Sequence, residues 1–413
     1  MTIFIRIASY RDPQLVPTLA DCVAKAAYPG DLRFGICWQH DGSESLGAFA
    51  DDPRCRVIEV PHTESQGCSW ARHQILPLYD GEDFTLVLDA HHRFAAGWDA
   101  DLIEMMARTG SPKPILTTYP PAFDPAAGSF DQRLLMMAFM GFNPRGPVSM
   151  RPHELDPAEP PEAPVPSRFC AGGFAFSQGR TVEDLAHDPS LYFLGEEANI
   201  AVRAFTHGHD LFHPDKIVCW HQYDRVSEPK HWDDHDVDSE EAAPWHALEE
   251  HGLARLRRLL GIDPADPSED FGRYGLGTAR SLRDYEHYAG LSFRHQAVAD
   301  WTLRHLPPPT PDPYEDEADW LDSLVHVRRF AIPISPAEAE TLAALPACRV
   351  ALEDAAGAEI CHQDMTAAAL ALLRGDPAPV FKVQYFNREP AARWTVKARA
   401  AAGPTPMLSG PVR

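Results

Sequence analysis

Two hydrophobic periods alternate along the first part of the chain. "IFIRIASYRD" is an apolar run that ends polar, which predicts a strand leading into a loop. Pro13 then opens a helical pattern through "LVPTLADCVAKAAY". "LRFGICWQH" and "CRVIEVP" read as the second and third strands, "SWARHQILPLY" as a helix and "FTLVLDAHHRF" as the next strand. A helix around Asp101 to Thr109 precedes the strand "KPILTTYP". This alternation predicts an α/β fold, a mostly parallel sheet flanked by helices. Ligands of such sheets gather at the carboxyl ends of the strands, where "ASYRD" and "DAHHRF" both fall.

Further along, "VPSRFCAGGFAFSQG" reads as a sheet-and-loop unit and "LGEEANIAVRAFTHG" as a helix with a glycine stop. "HDLFHPDKIVCWH" reads as a short strand or ribbon, and the Pro- and Glu-rich "ELDPAEPPEAPVPS" as a surface loop. The character changes near Val226. "SEPKHWDDHDVDSEEAAP" is acidic and polar and reads as a flap in which Trp232 packs. "WHALEEHGLARLRRLLG" is a helix, "SLRDYEHYAGLSFRHQAVADWTLRHL" supplies one or two more, and "PPPTPDPYEDEADW" reads as a linker. The expected organisation is an α/β domain over 1–225, a helical extension with an acidic loop over 226–310, and a small appended α+β domain over 320–413.

Composition narrows the function. With 37 basic and 60 acidic residues the net charge is -23, which repels phosphate backbones and excludes nucleic acid as a partner. An anionic substrate therefore needs local help from Arg or a metal. "MTIFIRIASY" has no basic segment ahead of a long apolar core, so no signal peptide is expected. No membrane span is expected either. The eight cysteines form no CxxC pair and are expected to be reduced, mostly buried thiols in a cytoplasm. The Ala-, Pro- and Arg-rich composition hints at a high-GC bacterial gene.

The chemistry concentrates at strand ends. In "LVLDAHHRF", residues two apart on an extended chain share a side, so Asp89 and His91 can converge on one ion. Carboxylate plus imidazole suits Mn²⁺, Zn²⁺ or Fe²⁺. His221 in "CWHQYDR" is a third ligand arriving from a distant strand, with His207, His209 and His213 as nearby competitors. Ser9, Arg11 and Asp12 suit a nucleotide, and Gly67 with Arg72 suits an anion at a helix start. Gly172 and Gly173 permit close approach of a ligand. Glu196 and Glu197, at a helix start, either stabilise the first turn or accept hydrogen bonds from sugar hydroxyls.

In order, "IASYRDP", "RFGICWQH", "ESQGCSWAR", "LDAHHRFAAGWD", "AGGFAFS", "GEEANIAVRAFTHGHDLFHP" and "CWH" resemble a GT-A glycosyltransferase over residues 2 to 225 or on to 300. The family resembled is that of the Skp1-type hydroxyproline N-acetylglucosaminyltransferases and their bacterial relatives. The polypeptide N-acetylgalactosaminyltransferases, with their D-x-H motif, are a more distant likeness. The resemblance implies a retaining UDP-sugar transferase, with UDP-GlcNAc as donor and a hydroxyl acceptor on a protein or peptide. It implies Mn²⁺ or another divalent cation on Asp89, His91 and His221. It puts Asp89, Gly172 and Gly173 at the donor and Glu196 at the sugar; position alone adds Ser9, Arg11, Asp12, Gly67 and Arg72 at the donor, and Glu197 and Arg72 at the chemistry. Glu197 stands where the distant relatives have Asn, a departure that touches donor choice. Two other classes compete: a metal-dependent hydrolase of nucleotide or phosphorylated substrates, and a noncatalytic sugar- or protein-binding module.

Overall fold

The computed structural model describes residues 1–235, 244–311, 315–374, 376–387, 391–398 and 407–412. The chain forms two compact units, Met1–Arg294 with Trp301–Pro313, and His295–Asp300 with Tyr314–Arg413.

The strands of the first unit are β1 (Ile3–Tyr10), β2 (Leu32–His40), β3 (Cys55–Pro61), β4 (Phe84–Asp89), β5 (His92–Phe94), β6 (Pro114–Thr117), β7 (Phe123–Asp124), β8 (Ser129–Phe130), β9 (Leu135–Phe142), β10 (Val148–Glu154), β11 (Val165–Pro166), β12 (Phe174–Gln178), β13 (Asp210–His213) and β14 (Cys219–His221), before the short Leu291–Ser292. Eight of them make one sheet in the order β11-β13-β6-β12-β4-β1-β2-β3. β1 runs parallel to β2 and β4, β2 to β3, and β6 to β13. Helices α1 (Leu15–Lys25) and α3 (Trp98–Arg108) bury Leu15, Leu19, Trp98 and Leu102 against Ile3, Ile5 and Ile7. Phe4 on the opposite face meets Ala71 and Ile75, from the region of α2 (Cys68–Gln74). Burial on both faces is why the central strands read as continuous apolar runs.

One strand breaks the parallel rule. β12 runs antiparallel between β4 and β6, with Phe174 opposite Leu88. This register carries Gly173, the residue before the strand, to the carboxyl end of β4, beside Asp89. A parallel strand here would have put its other end at the site.

β4 stops at Asp89, and the chain bends at Ala90 and His91 before β5. The extended continuation through "DAHHRF" expected from sequence is thus interrupted. The Thr18 hydroxyl, buried in α1, donates to Ala90 O (2.8 Å) and accepts from His92 N–H (2.9 Å), which satisfies the backbone at the bend. β5 then pairs antiparallel with β14, placing His221 opposite His92.

The hairpin β9–β10 has no counterpart in the sequence reading. Beyond β14, Trp232 packs edge-on against Phe193 (5.2 Å between ring centroids) in a short helix, His231–Asp234. The rest of the acidic flap, 236–243, lies outside the described residues, as do 312–314 of the linker segment. Helix Trp245–Leu259 follows, and helix Leu282–Ala289 is closed by a Ser281 capping box and a left-handed Gly290.

The second unit pairs Ala297–Val298 and Val380–Asn387 with the two sides of Val325–Pro333. A second sheet has the order Glu359–Thr366, Ala347–Glu353, Arg393–Ala398, Leu408–Pro411. Ile332, Leu342, Val350, Leu352, Phe381 and Val383 form its core. Among the described residues no helix is long and apolar enough to cross a membrane.

Candidate functional site

Asp89, His91 and His221 converge. One ligand atom from each lies within 4.8 Å of the others. Asp89 comes from the end of β4, His91 from the bend and His221 from β14. His221 Nε2 is 3.3 Å from Asp89 Oδ2, and its ring centroid is 4.5 Å from that of His91. His91 is oriented by Asp12, whose Oδ2 lies 2.7 Å from Nδ1. A proton on Nδ1 makes His91 Nε2 the acceptor, the arrangement in which a carboxylate fixes a ligand's tautomer; Arg225 Nη1 approaches that nitrogen at 3.5 Å. Arg225 donates to the same Asp12 oxygen (2.8 Å). Burial lowers the His221 pKa and keeps its ring neutral, as a metal ligand must be. Burial raises the Asp89 carboxyl, but the hydrogen bond from His221 and the charge of Arg72 outweigh it and hold it well below the usual range. A carboxylate and two imidazoles in reach of one point fit a divalent cation of the Mn²⁺ or Zn²⁺ type.

Behind this cluster lies a buried ionic chain. Arg72, 2% exposed, donates through Nη2 to Asp89 Oδ1 (2.7 Å) and through Nη1 to Glu196 Oε1. Its charge is therefore spent on two protein carboxylates. Glu196 opens helix Glu196–Thr206 after the left-handed Gly195. His187 meets the same Oε1 at 3.0 Å. Glu197 points elsewhere. Its Oε1 accepts from Gly172 N–H (3.0 Å) and its Oε2 from the Tyr119 hydroxyl (2.7 Å), so it ties down the Gly–Gly segment.

Glu197 also predicts a pH effect. Burial pushes its carboxyl up to about 7, with Gly172 and Tyr119 pulling down and Glu196 adding to the rise. An acid that binds its proton more tightly when folded contributes stability at low pH and loses it as pH rises from the ordinary 4.5 to about 7. Glu197→Gln, neutral throughout, gains stability relative to the parent across that window, and the gain levels off above it. Thermal midpoints of both proteins from pH 4 to 8 check this; a constant offset would contradict it.

Gly173 is a close-approach glycine. A Cβ there would stand 2.3 Å from Asp89 Oδ2. Gly173→Ala is expected to displace that carboxylate and lower turnover by about 10²-fold, with circular dichroism unchanged. Gly67 is needed for the backbone: its φ is 100°, and a Cβ would stand 2.4 Å from Tyr192 O.

Two adjoining recesses open at the cluster, of about 950 Å³ and about 750 Å³. Asp89, His221, Phe193 and Tyr223 line both. The larger adds Tyr10, Asp12, Gly67, His91, Arg225 and Lys230; the smaller adds Arg72, Gly172, Gly173, Glu196 and Glu197. Ser9 and Arg11 line neither. Ser9 is wholly buried in β1, and Arg11 pairs with Asp41 (2.9 Å) and Asp234 (2.8 Å). The competing histidines lie elsewhere: His207 faces Gly275 O, His209 faces Asp184 and His213 faces Thr117 O. Arg225, Lys230, His187 and Tyr119 escaped the sequence reading. Arg225 alone left a signal, as the basic residue four places after His221 in "CWHQYDR".

A strand-end carboxylate, two imidazoles and a Gly–Gly segment thus meet at the carboxyl end of a central strand of the sheet. Residues 2–52 and 48–295 match the family described as Glycosyltransferase (GlcNAc), and the chain belongs to that family. No curated protein matches it. Among solved structures, GalNAc-T7 with UDP, GalNAc and Mn²⁺ is 15% identical at a TM-score of 0.45, over 69% of this chain and 56% of that one. TarS 1–349 of S. aureus with UDP-GlcNAc is 13% identical at 0.39, over 65% and 68%. The chain thus spans little more than half of the GalNAc-T7 chain it matches.

Proposed function

We propose that the protein is a retaining, divalent-cation-dependent glycosyltransferase that moves a sugar, GlcNAc before others, from UDP to a hydroxyl on a protein or peptide. Skp1-type N-acetylglucosaminyltransferases are the kind it is read as, in a bacterial cytoplasm. The convergence of Asp89, His91 and His221 beside Gly173 carries the reading.

Asp89, His91 and His221 would hold the cation, Mn²⁺ first. When bound, it supplies the positive charge that stabilises UDP as the glycosidic bond breaks. Asp12 keeps His91 turned toward it. Arg225 and Lys230 line the larger recess and would turn from Asp12 and from the Arg225 and Glu228 carbonyls to meet the diphosphate. Asp12 and Gly67, which line the larger recess, shape the nucleoside end. Arg72 acts through protein groups, holding Asp89 and Glu196 ionised and in place. Glu196 accepts from sugar hydroxyls, and Glu197 holds the Gly172–Gly173 wall against which the sugar lies. The acceptor oxygen attacks the anomeric carbon from the face that UDP leaves. His221 serves as ligand and not as base, because one neutral nitrogen cannot bind a cation and take a proton together. Donor chemistry is assigned to 1–225, with 226–310 as its helical extension; 320–413 is an appended domain whose plain role is packing or oligomer contact.

The test is a screen of UDP-sugars for Mn²⁺-dependent UDP release by metal-stripped protein, followed by identification of the labelled product from a lysate. UDP-GlcNAc is expected to give the highest rate. Turnover unchanged by exhaustive chelation sinks the proposal. Sugar release to water alone, with every hydroxyl acceptor refused, favours the hydrolase.

A further inference from the structure

We propose that His187 is a positioning residue for sugar transfer: it holds Glu196 from the side opposite the substrate. The inference rests on the reading of Glu196 as the acid that meets the donor sugar. Glu196 Oε1 receives two donors, Arg72 Nη1 and His187 Nε2 at 3.0 Å. Its Oε2 lies on the Gly172 side, where a Cβ on that glycine would stand 3.5 Å away. One oxygen is thus engaged by the protein, and the other lies toward the Gly–Gly wall of the smaller recess. Two donors at different angles fix a carboxylate's rotation; one leaves it free to swing.

The chemistry of His187 suits this task. It is 5% exposed, and it lines a small cavity with Arg6, Gly172 and Glu196. Burial, with Arg72 and Arg6 nearby, pulls its pKa down to about 4 against the pull of Glu196. The ring is therefore neutral at working pH. It gives Glu196 a directed N–H without a further charge beside two guanidinium groups. Its Nδ1 is buried and has no hydrogen-bond partner, so the ring's directed contact is the one to Glu196. The loop that carries it is anchored on both flanks. Arg203 donates to Ala186 O (2.7 Å), and Arg255 donates to Asp188 Oδ2 (2.8 Å).

The experiment uses the full chain with His187→Ala, His187→Gln, Glu196→Gln and the double variant His187→Ala/Glu196→Gln. His187→Ala is expected to lower kcat by about tenfold or more, with UDP affinity measured calorimetrically in Mn²⁺ held within about twofold. Gln carries an N–H at a similar reach, so His187→Gln is expected to recover most of the lost rate. Added imidazole, entering the enlarged cavity, is expected to raise the rate of His187→Ala and not of Glu196→Gln. A kcat of His187→Ala within about twofold of the parent overturns the proposal, as does loss of UDP affinity in step with kcat. Thermal midpoints of the four variants and the parent form a cycle in which the two sites should be non-additive; additive shifts overturn it too. The cycle needs no turnover. A parent that cleaves no UDP-sugar would therefore end the functional reading while the cycle still decides whether His187 holds Glu196.

Discussion

Asp89→Ala abolishes metal-stimulated UDP release. Asp89 supplies the carboxylate of the only His, Cys, Asp and Glu cluster with cation-binding spacing among the described residues. Its Oδ2 faces His221 and its Oδ1 takes Arg72. Removing an outer partner of a metal ligand costs about 10–100-fold; removing the ligand itself is expected to cost at least about a thousandfold. The fold survives, because Arg72 keeps Glu196 and the strand loses no core side chain. Mn²⁺ binding by calorimetry should vanish with the activity, while the melting curve moves by only a few degrees, on the order of 1–3 kcal/mol. His221→Ala should match it in both readouts. Full turnover in either variant would remove the proposed metal centre.

Arg72→Met is the larger blow to stability. The guanidinium lies between two carboxylates, and among the described residues no other cation bridges both. Breaking a buried pair costs about 3–5 kcal/mol, because the remaining charge stays buried. Two are left here, eased in part by the His221 hydrogen bond at Asp89 and by His187 and Arg6 at Glu196. The sign of the pH effect follows. Without Arg72 both carboxyls bind protons more tightly in the folded state, so the variant is least disadvantaged at low pH and loses stability as pH rises through the new folded values. Melting of variant and parent at pH 5 and pH 8 checks this: the gap should widen at pH 8. Arg72→Lys should recover part of the loss, since an ammonium cannot span both carboxylates as the planar fork does. A gap that narrows toward pH 8 would show that the two acids do not depend on Arg72.

Burial on both faces makes β1, β2 and β4 unbroken apolar runs, and such runs are visible in one dimension. So is the abrupt change at Asp89, because a strand leaving the core must turn polar where it meets solvent or ligand. The pair Asp89 and His91 was therefore legible. Their convergence was expected from extended geometry, yet it is achieved across a bend held by Thr18, a contact 72 residues away in sequence. Arg72 was legible as a cation near the site but not as a buried bridge. Which carboxylates a guanidinium meets depends on elements 17 and 124 residues distant. His187 and Tyr119 left no signal, since a histidine in a loop and a tyrosine after a strand are common in any chain.

By itself the sequence determined the parallel α/β core, the polar strand ends where chemistry gathers and the short span that carries two candidate ligands. Tertiary structure alone decided three things: that β12 runs backwards and sets Gly173 against Asp89, that β14 pairs with β5 and delivers His221 instead of His207, His209 or His213, and that Arg72 faces inward. The reason is physical. Hydrophobic periodicity records how deeply a segment is buried, whereas strand direction, register and the partners of a charge are set by contacts between segments far apart in the chain, and those leave no period behind.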